Sequence, residues 1–146
     1  MNYFDSKYLH SIDQRGRVQL PKDVRAGGKL KKGDSLFMFI NPNAPRVLEV
    51  RTKGQWQAYQ KQVEALPPSN AKREFYRLIR LSTVEAISDG QGRIVVPQTI
   101  RERCGFEQEV VVVNMGTYVE IWNRESVEQK YNDMLRSFNE INDQLF

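Results

Sequence analysis

Histidine and cysteine are almost missing: His10 and Cys104 are the only residues of their kind among 146. A single cysteine excludes an internal disulfide and any multi-cysteine zinc site, and it agrees with a reducing compartment. Near the end of a predicted helix, Cys104 reads as a small apolar residue. A single histidine, in a predicted strand, leaves any Ser-His-Asp or Cys-His arrangement dependent on His10, and no HExxH-like set occurs. Gly90 and Gly92 spell G-x-G, but position 95 is Val where a dinucleotide fingerprint needs a third glycine. The inventory speaks against an enzyme, and neither a metal nor a cofactor is expected. Long apolar runs are missing too, none approaching the roughly 20 residues of a membrane helix. The first residues, MNYFDSKYLH, lack the charged start, apolar middle and small-residue cleavage site of a signal peptide. A cytosolic chain with no membrane partner is expected.

What the chain does have is an uneven charge. The net +4 divides into +9 over residues 1–81 (16 Lys+Arg against 7 Asp+Glu) and −5 over residues 82–146 (6 against 11). The first half is the candidate for a polyanion. A basic half can equally be a solvated surface, or dock on the acidic half of a neighbouring copy.

It also has a repeat. Residues 13–21 read DQRGRVQLP and residues 89–97, 76 positions on, read DGQGRIVVP. Alternating apolar and polar residues on either side of each D-x-x-G-R predict two short strands joined by a turn in a hairpin-like unit. Pro21 and Pro97 then open short helices, a proline at the first helical position needing no N–H partner. Val24 and Arg25 match Ile100 and Arg101. Two further strands follow in each copy, SLFMFI with RVLEVR and EVVVVN with YVEIW. Each unit is strand, turn, strand, short helix, strand, strand. Units of about 45 residues are marginal alone, so the two must pack on each other.

The predicted organisation is a first repeat over 1–53, a helical connector over 54–81, a second repeat over 82–123 and an amphipathic helix over 124–146. In the connector, Trp56, Tyr59, Val63 and Leu66 recur at helical spacing before Pro67-Pro68. A second helix places Phe75, Leu78 and Ile79 on one face and Arg73, Arg77 and Arg80 on another. That arginine stripe suits phosphates, or is the wet side of an amphipathic helix. In the last segment Val127, Tyr131, Met134, Phe138, Ile141 and Leu145 form a heptad seam, which either caps the core or meets a second subunit. Asn123 or Ser126 can cap its start.

The chemistry of D-x-x-G-R is specific. Asp13 or Asp89 opening a turn accepts hydrogen bonds from N–H groups two or more residues on, and Gly16 or Gly92 permits a positive φ. Arg17 and Arg93 follow on the outgoing strand. Their planar guanidinium suits bidentate contact with a phosphate or with guanine O6 and N7. The alternative is that each arginine merely pairs with the aspartate of its own turn.

DQRGRVQLPKDVR and DGQGRIVVPQTIR resemble the tandem SpoVT/AbrB-like motifs of the MraZ family, bacterial regulators associated with division and cell-wall genes. FDSKYLHSID before the first motif, the connector LPPSNAKREFYRLIRL and the EIW ending carry the resemblance over essentially the whole chain. It implies a β-rich α+β fold of two swapped-hairpin βαββ-type units, an intrachain pseudo-dimer or double-split barrel. It implies a ring-shaped homo-oligomer in the cytoplasm, at the nucleoid, on double-stranded DNA carrying short direct repeats in the promoter of its own operon. It places the DNA contacts on Arg17 and Arg93, with Arg25 and Arg101 contributing from the helices. Arg15 and Lys22 join them by charge and position. The second copy has Gln91 and Gln98 there, so the first copy is expected to be the stronger contact. The competing expectation is a protein-interaction module, an antitoxin-like AbrB relative or a ring scaffold.

Overall fold

A computed structural model describes residues 4–22 and 30–146. It is a mixed α+β structure with eight strands and four α-helices among the described residues. After a 3-10 turn at Ser6–Tyr8 come β1 (Leu9–Ser11), β2 (Arg17–Gln19), β3 (Ser35–Ile40) and β4 (Val47–Thr52). Helices α1 (Lys53–Glu64) and α2 (Asn70–Ser82) form the connector. The second copy supplies β5 (Val84–Ile87), β6 (Arg93–Val95), α3 (Gln98–Cys104), β7 (Glu109–Asn114) and β8 (Val119–Asn123), and α4 (Arg124–Leu145) closes the chain. The helix expected after Pro21, with Val24 and Arg25, lies outside the described residues.

The strands pair between copies. Six form an antiparallel sheet in the order β1-β7-β8-β4-β3-β5, and β2 and β6 form a separate ribbon. β1 of the first copy adds to β7 of the second, and β5 of the second adds to β3 of the first, in matching register: Ser11 faces Glu109 as Ile87 faces Ser35. β4 and β8 pair around Glu49 and Glu120. The expected β1–β2 hairpin is confined to its turn, where Ile12 bridges Val18 before β1 departs to β7. β1 and β5 remain the free edges of the sheet, so the described strands do not close into the barrel that the resemblance implies. The three-residue β2 and β6 use their ladders on each other, and neither joins the edge of the larger sheet.

One hydrophobic core results, drawn from both copies. Val18, Leu20, Leu36, Met38 and Leu48 of the first pack with Ile94, Val96, Val110, Val112 and Ile121 of the second. Each such side chain contributes about 1.5–3 kcal/mol when fully buried, so each copy completes the core of the other. Cys104 is fully buried in this core, and burial pushes its thiol up to about 11.

The opposite face of the sheet takes the connector helices. Trp56 stacks on Phe37 at 5.4 Å, and Tyr59 meets Trp56 and Phe75. Thr52 and Gln55 form a capping box at the start of α1. Ile79 of α2 is buried as the spacing predicts, but Leu78 is exposed, because only a narrow stripe of this helix reaches the sheet. Asn123 caps α4, accepting from the N–H groups of Glu125 and Ser126. The seam on α4 divides: Val127 is buried and Tyr131 half-buried, whereas every residue from 132 to 146 is exposed.

Candidate nucleic-acid interface

Both D-x-x-G-R turns have one construction. Asp13 Oδ1 accepts from the backbone N–H groups of Arg15 and Arg17, each at 2.9 Å, and Oδ2 accepts from Arg17 Nε at 2.6 Å. Asp89 Oδ1 accepts from Gln91 at 2.8 Å and Arg93 at 2.9 Å, and Oδ2 from Arg93 Nε at 2.8 Å. Both carboxyls are held below the usual carboxylate range, first by the backbone N–H of the motif arginine, with its side chain adding to the effect. Gly16 has φ +82° and Gly92 φ +76°, the left-handed conformation that closes each turn.

The two turns lock each other. The Val96 N–H donates to the Gly16 carbonyl at 2.8 Å, and the Leu20 N–H donates to the Gly92 carbonyl at 3.1 Å. This explains why the repeated sentence runs to its proline: the residue before each proline is the partner of the other copy's glycine. The ribbon register pairs Arg17 with Val95, Val18 with Ile94 and Gln19 with Arg93. Val18 and Ile94 are fully buried, so alternation along a strand sends Arg17, Gln19, Arg93 and Val95 to the outward face.

Arg17 and Arg93 are therefore paired with the aspartates of their own turns, but only through Nε. Each side chain stays about one-third exposed, 34% and 31%, and the terminal Nη groups have no partner among the described residues. They are diagonal neighbours on the ribbon, a relationship that separates Cβ atoms by roughly 7–8 Å.

The other expected residues behave differently. Arg101 reaches from α3 to the first turn, donating from Nε to the Val96 carbonyl at 2.9 Å and from Nη1 to the Gln14 carbonyl at 3.3 Å. It buttresses the first turn as well as lying beside it. Arg15 and Lys22 are exposed; Arg25 lies outside the described residues. The arginine stripe of α2 sits on the far side of the sheet with local partners. Arg77 pairs with Glu74, Arg73 donates to Asn70, and Arg80 lies over the Tyr76 ring. Two ribbon residues, Gln19 and Val95, escaped the sequence reading; the period-two alternation in RVQ and RIV would have found them. Among the described residues no group of histidine, cysteine, aspartate and glutamate is arranged to hold a metal, and no helix is long and apolar enough to cross a membrane.

Fold and site together define a class: a two-copy α+β protein whose copies exchange strands and present paired, aspartate-tethered arginines on one ribbon. A family model described as "MraZ protein, putative antitoxin-like" matches residues 81–145. A protein named transcriptional regulator MraZ from Desulforapulum autotrophicum is 35% identical over 135 residues, covering 90% of this chain and 87% of that one. Its namesakes from Carboxydothermus hydrogenoformans and Syntrophomonas wolfei are 32% identical over 94% of this chain and 31% identical over 97%, spanning 93% and 96% of their own lengths. The chain belongs to the MraZ family.

Proposed function

We propose that this chain is a sequence-specific DNA-binding transcriptional regulator that recognises short direct repeats in the promoter of its own division and cell-wall operon. The observation that carries the reading is the pair Arg17 and Arg93, each fixed at Nε by its own aspartate, with the side chain about one-third exposed and the Nη groups left without a partner among the described residues. A guanidinium held in this way loses little further freedom when it forks onto guanine, and such a contact discriminates by about 1–3 kcal/mol. Arg15 and Lys22, with Arg25, supply phosphate contacts from the basic first copy. Arg101 works mainly by positioning the first turn.

The strand exchange supports reading residues 1–53 and 82–123 as an intrachain swapped-hairpin pseudo-dimer. The exposed end of α4, with Met134, Phe138, Ile141 and Leu145, supports self-association. So does an apolar groove of about 560 Å³ that Tyr8, Val111, Trp122, Val127 and Met134 help to line. A ring of head-to-tail subunits would engage consecutive repeats and raise the affinity that one monomer cannot reach. Its place of action would be the cytoplasm, at the nucleoid. The same exposed helix end would serve an antitoxin-like protein contact, and co-purification of a small toxic partner would favour that reading.

The test is fluorescence anisotropy with the DNA upstream of its own gene and a scrambled duplex, at two salt concentrations. A preference that survives salt and disappears in both Arg17→Ala and Arg93→Ala supports specific recognition. Equal, salt-sensitive binding to both duplexes would reduce the basic half to a polyanion surface.

A further inference from the structure

The ribbon is symmetric in backbone and asymmetric in side chains. Under the exchange that relates the copies, Arg17 corresponds to Arg93 and Gln19 to Val95. The outward face is thus two unequal corners, Arg17 beside Val95 and Arg93 beside Gln19. Gln19 has its Nε2 committed to the Gln91 carbonyl at 2.7 Å. Val95 is 48% exposed and is an aliphatic side chain set among polar ones on this face.

We propose that Val95 is a specificity-determining residue that reads the 5-methyl group of a thymine next to the base addressed by Arg17. This rests on the DNA-binding function proposed above. A two-stranded ribbon fits the major groove, and the apolar feature displayed there is the thymine methyl. Directly opposed residues on an antiparallel pair have Cβ atoms about 4.5–5.5 Å apart. Bases on one strand follow at about 3.4 Å. With Arg17 over one base, the Val95 isopropyl therefore falls over a neighbouring base and cannot satisfy a hydrogen-bonding edge there. An amide, a carbonyl or a guanine N7 at that point would be desolvated without a partner, whereas a methyl would be buried at no polar cost. The other corner has no counterpart, because Gln19 presents an amide. One pseudo-symmetric ribbon would then read an asymmetric step, giving a site a direction, as direct repeats require.

The experiment starts from a duplex selected from a randomised library by the wild-type protein. Each thymine of that duplex is replaced singly by deoxyuridine, which removes the methyl and nothing else. Affinities are measured for wild type, Val95→Ala, and Val95→Thr, which keeps the branched shape suited to a strand. For wild type, one thymine is expected to show a loss of about fourfold, the affinity equivalent of one buried methyl. Val95→Ala, whose shorter side chain withdraws from the groove, should bind the unmodified duplex more weakly by a similar factor and be less sensitive to deoxyuridine at that position; Val95→Thr, which keeps one γ-methyl, should retain part of the sensitivity. If wild type senses no thymine methyl, or Val95→Ala senses it undiminished, Val95 is not the reader although the protein still binds DNA specifically. If selection enriches no sequence, the DNA-binding reading fails and this inference with it.

Discussion

Gly16 and Val96 are joined across the two copies twice over. The Val96 N–H donates to the Gly16 carbonyl at 2.8 Å, and the Gly16 α-carbon faces Val96 so closely that a side chain there would collide with the Val96 carbonyl oxygen. The same added carbon would lie 2.8 Å from Arg101 Nε. The D-x-x-G-R glycine thus serves as a turn residue and as the contact point between copies.

Gly16→Ala should therefore destabilise by more than backbone conformation alone. A positive φ costs a non-glycine residue about 1–2 kcal/mol. Gly33 supplies the control, with φ +88° and nothing within 4 Å of an added Cβ. Urea denaturation should show Gly33→Ala losing about that amount and Gly16→Ala distinctly more. Equal losses would mean that Arg101 and the Val96 strand simply move aside.

Asp13→Asn and Asp89→Asn separate aiming from folding. An asparagine keeps an oxygen for the turn N–H groups but loses the charge that holds Arg Nε. Asp13 is exposed and Asp89 half-buried, and both carboxyls are held below their ordinary range, so their contribution is complete above about pH 4 and is lost only as acid protonates them through the lowered folded value. At neutral pH the variants should melt somewhat below wild type, still as folded proteins, and bind the preferred duplex more weakly. An unchanged affinity would show that the arginines need no tether.

The eight strands and the later helices were legible because apolar alternation, prolines and caps are local signals. Their partners were not. The alternation in YLHSID and RVQL fixes which side chains face inward, yet it reads the same whether β1 pairs with β2 or with β7, so a hairpin was expected where strands are exchanged. The turns were legible residue by residue, since Asp, Gly and Arg each have a distinct turn chemistry. The double task of Gly16 and the buttressing by Arg101 join residues about 80 positions apart, which no local pattern encodes. Spacing alone points Leu78 inward, but how wide a stripe of α2 the sheet covers depends on packing.

A second cross-copy cluster lies on the far face of the sheet. Glu49 and Glu120 face each other in register, an arrangement that like charges disfavour. Arg51 donates to Glu49 at 2.9 Å and is stacked between the rings of Tyr59 and Tyr118. Burial, then Glu120, pushes the Tyr118 hydroxyl up to about 12, so it remains a donor to Glu120 at 3.1 Å. Arg51→Ala removes the cation from a buried pair and should cost about 3–5 kcal/mol. Adding Glu49→Gln should restore part of it in a denaturation series; no restoration would locate the loss in the aromatic stacking.

Deleting residues 137–146 should leave the fold intact, because every one of them is exposed. Thermal melting should stay close to that of the full chain. If the proposed self-association runs through this seam, light scattering should report a smaller particle than for the full chain, since Phe138, Ile141 and Leu145 are removed. An assembly of unchanged size would move the subunit contact to another surface.

Folding stability should weaken mildly with acid because of His10. In β1, opposite Val110, this half-buried imidazole has its pKa lowered, chiefly by burial, with a backbone hydrogen bond involving Lys7 acting in the opposite sense. Above about pH 6.5, the ordinary value, the ring is neutral folded and unfolded, and stability is complete. As pH falls below that point the unfolded chain takes up the proton first, and stability declines until pH passes the lowered folded value. Asp13 and Asp89 stay ionised throughout this window and do not contribute to the slope. Melting temperature should therefore drop between pH 7.5 and 5.5 in wild type, and the drop should be shallower in His10→Gln. Parallel curves for the two proteins would assign the acid sensitivity to other groups and show that the β1 edge accepts a charged imidazole without cost.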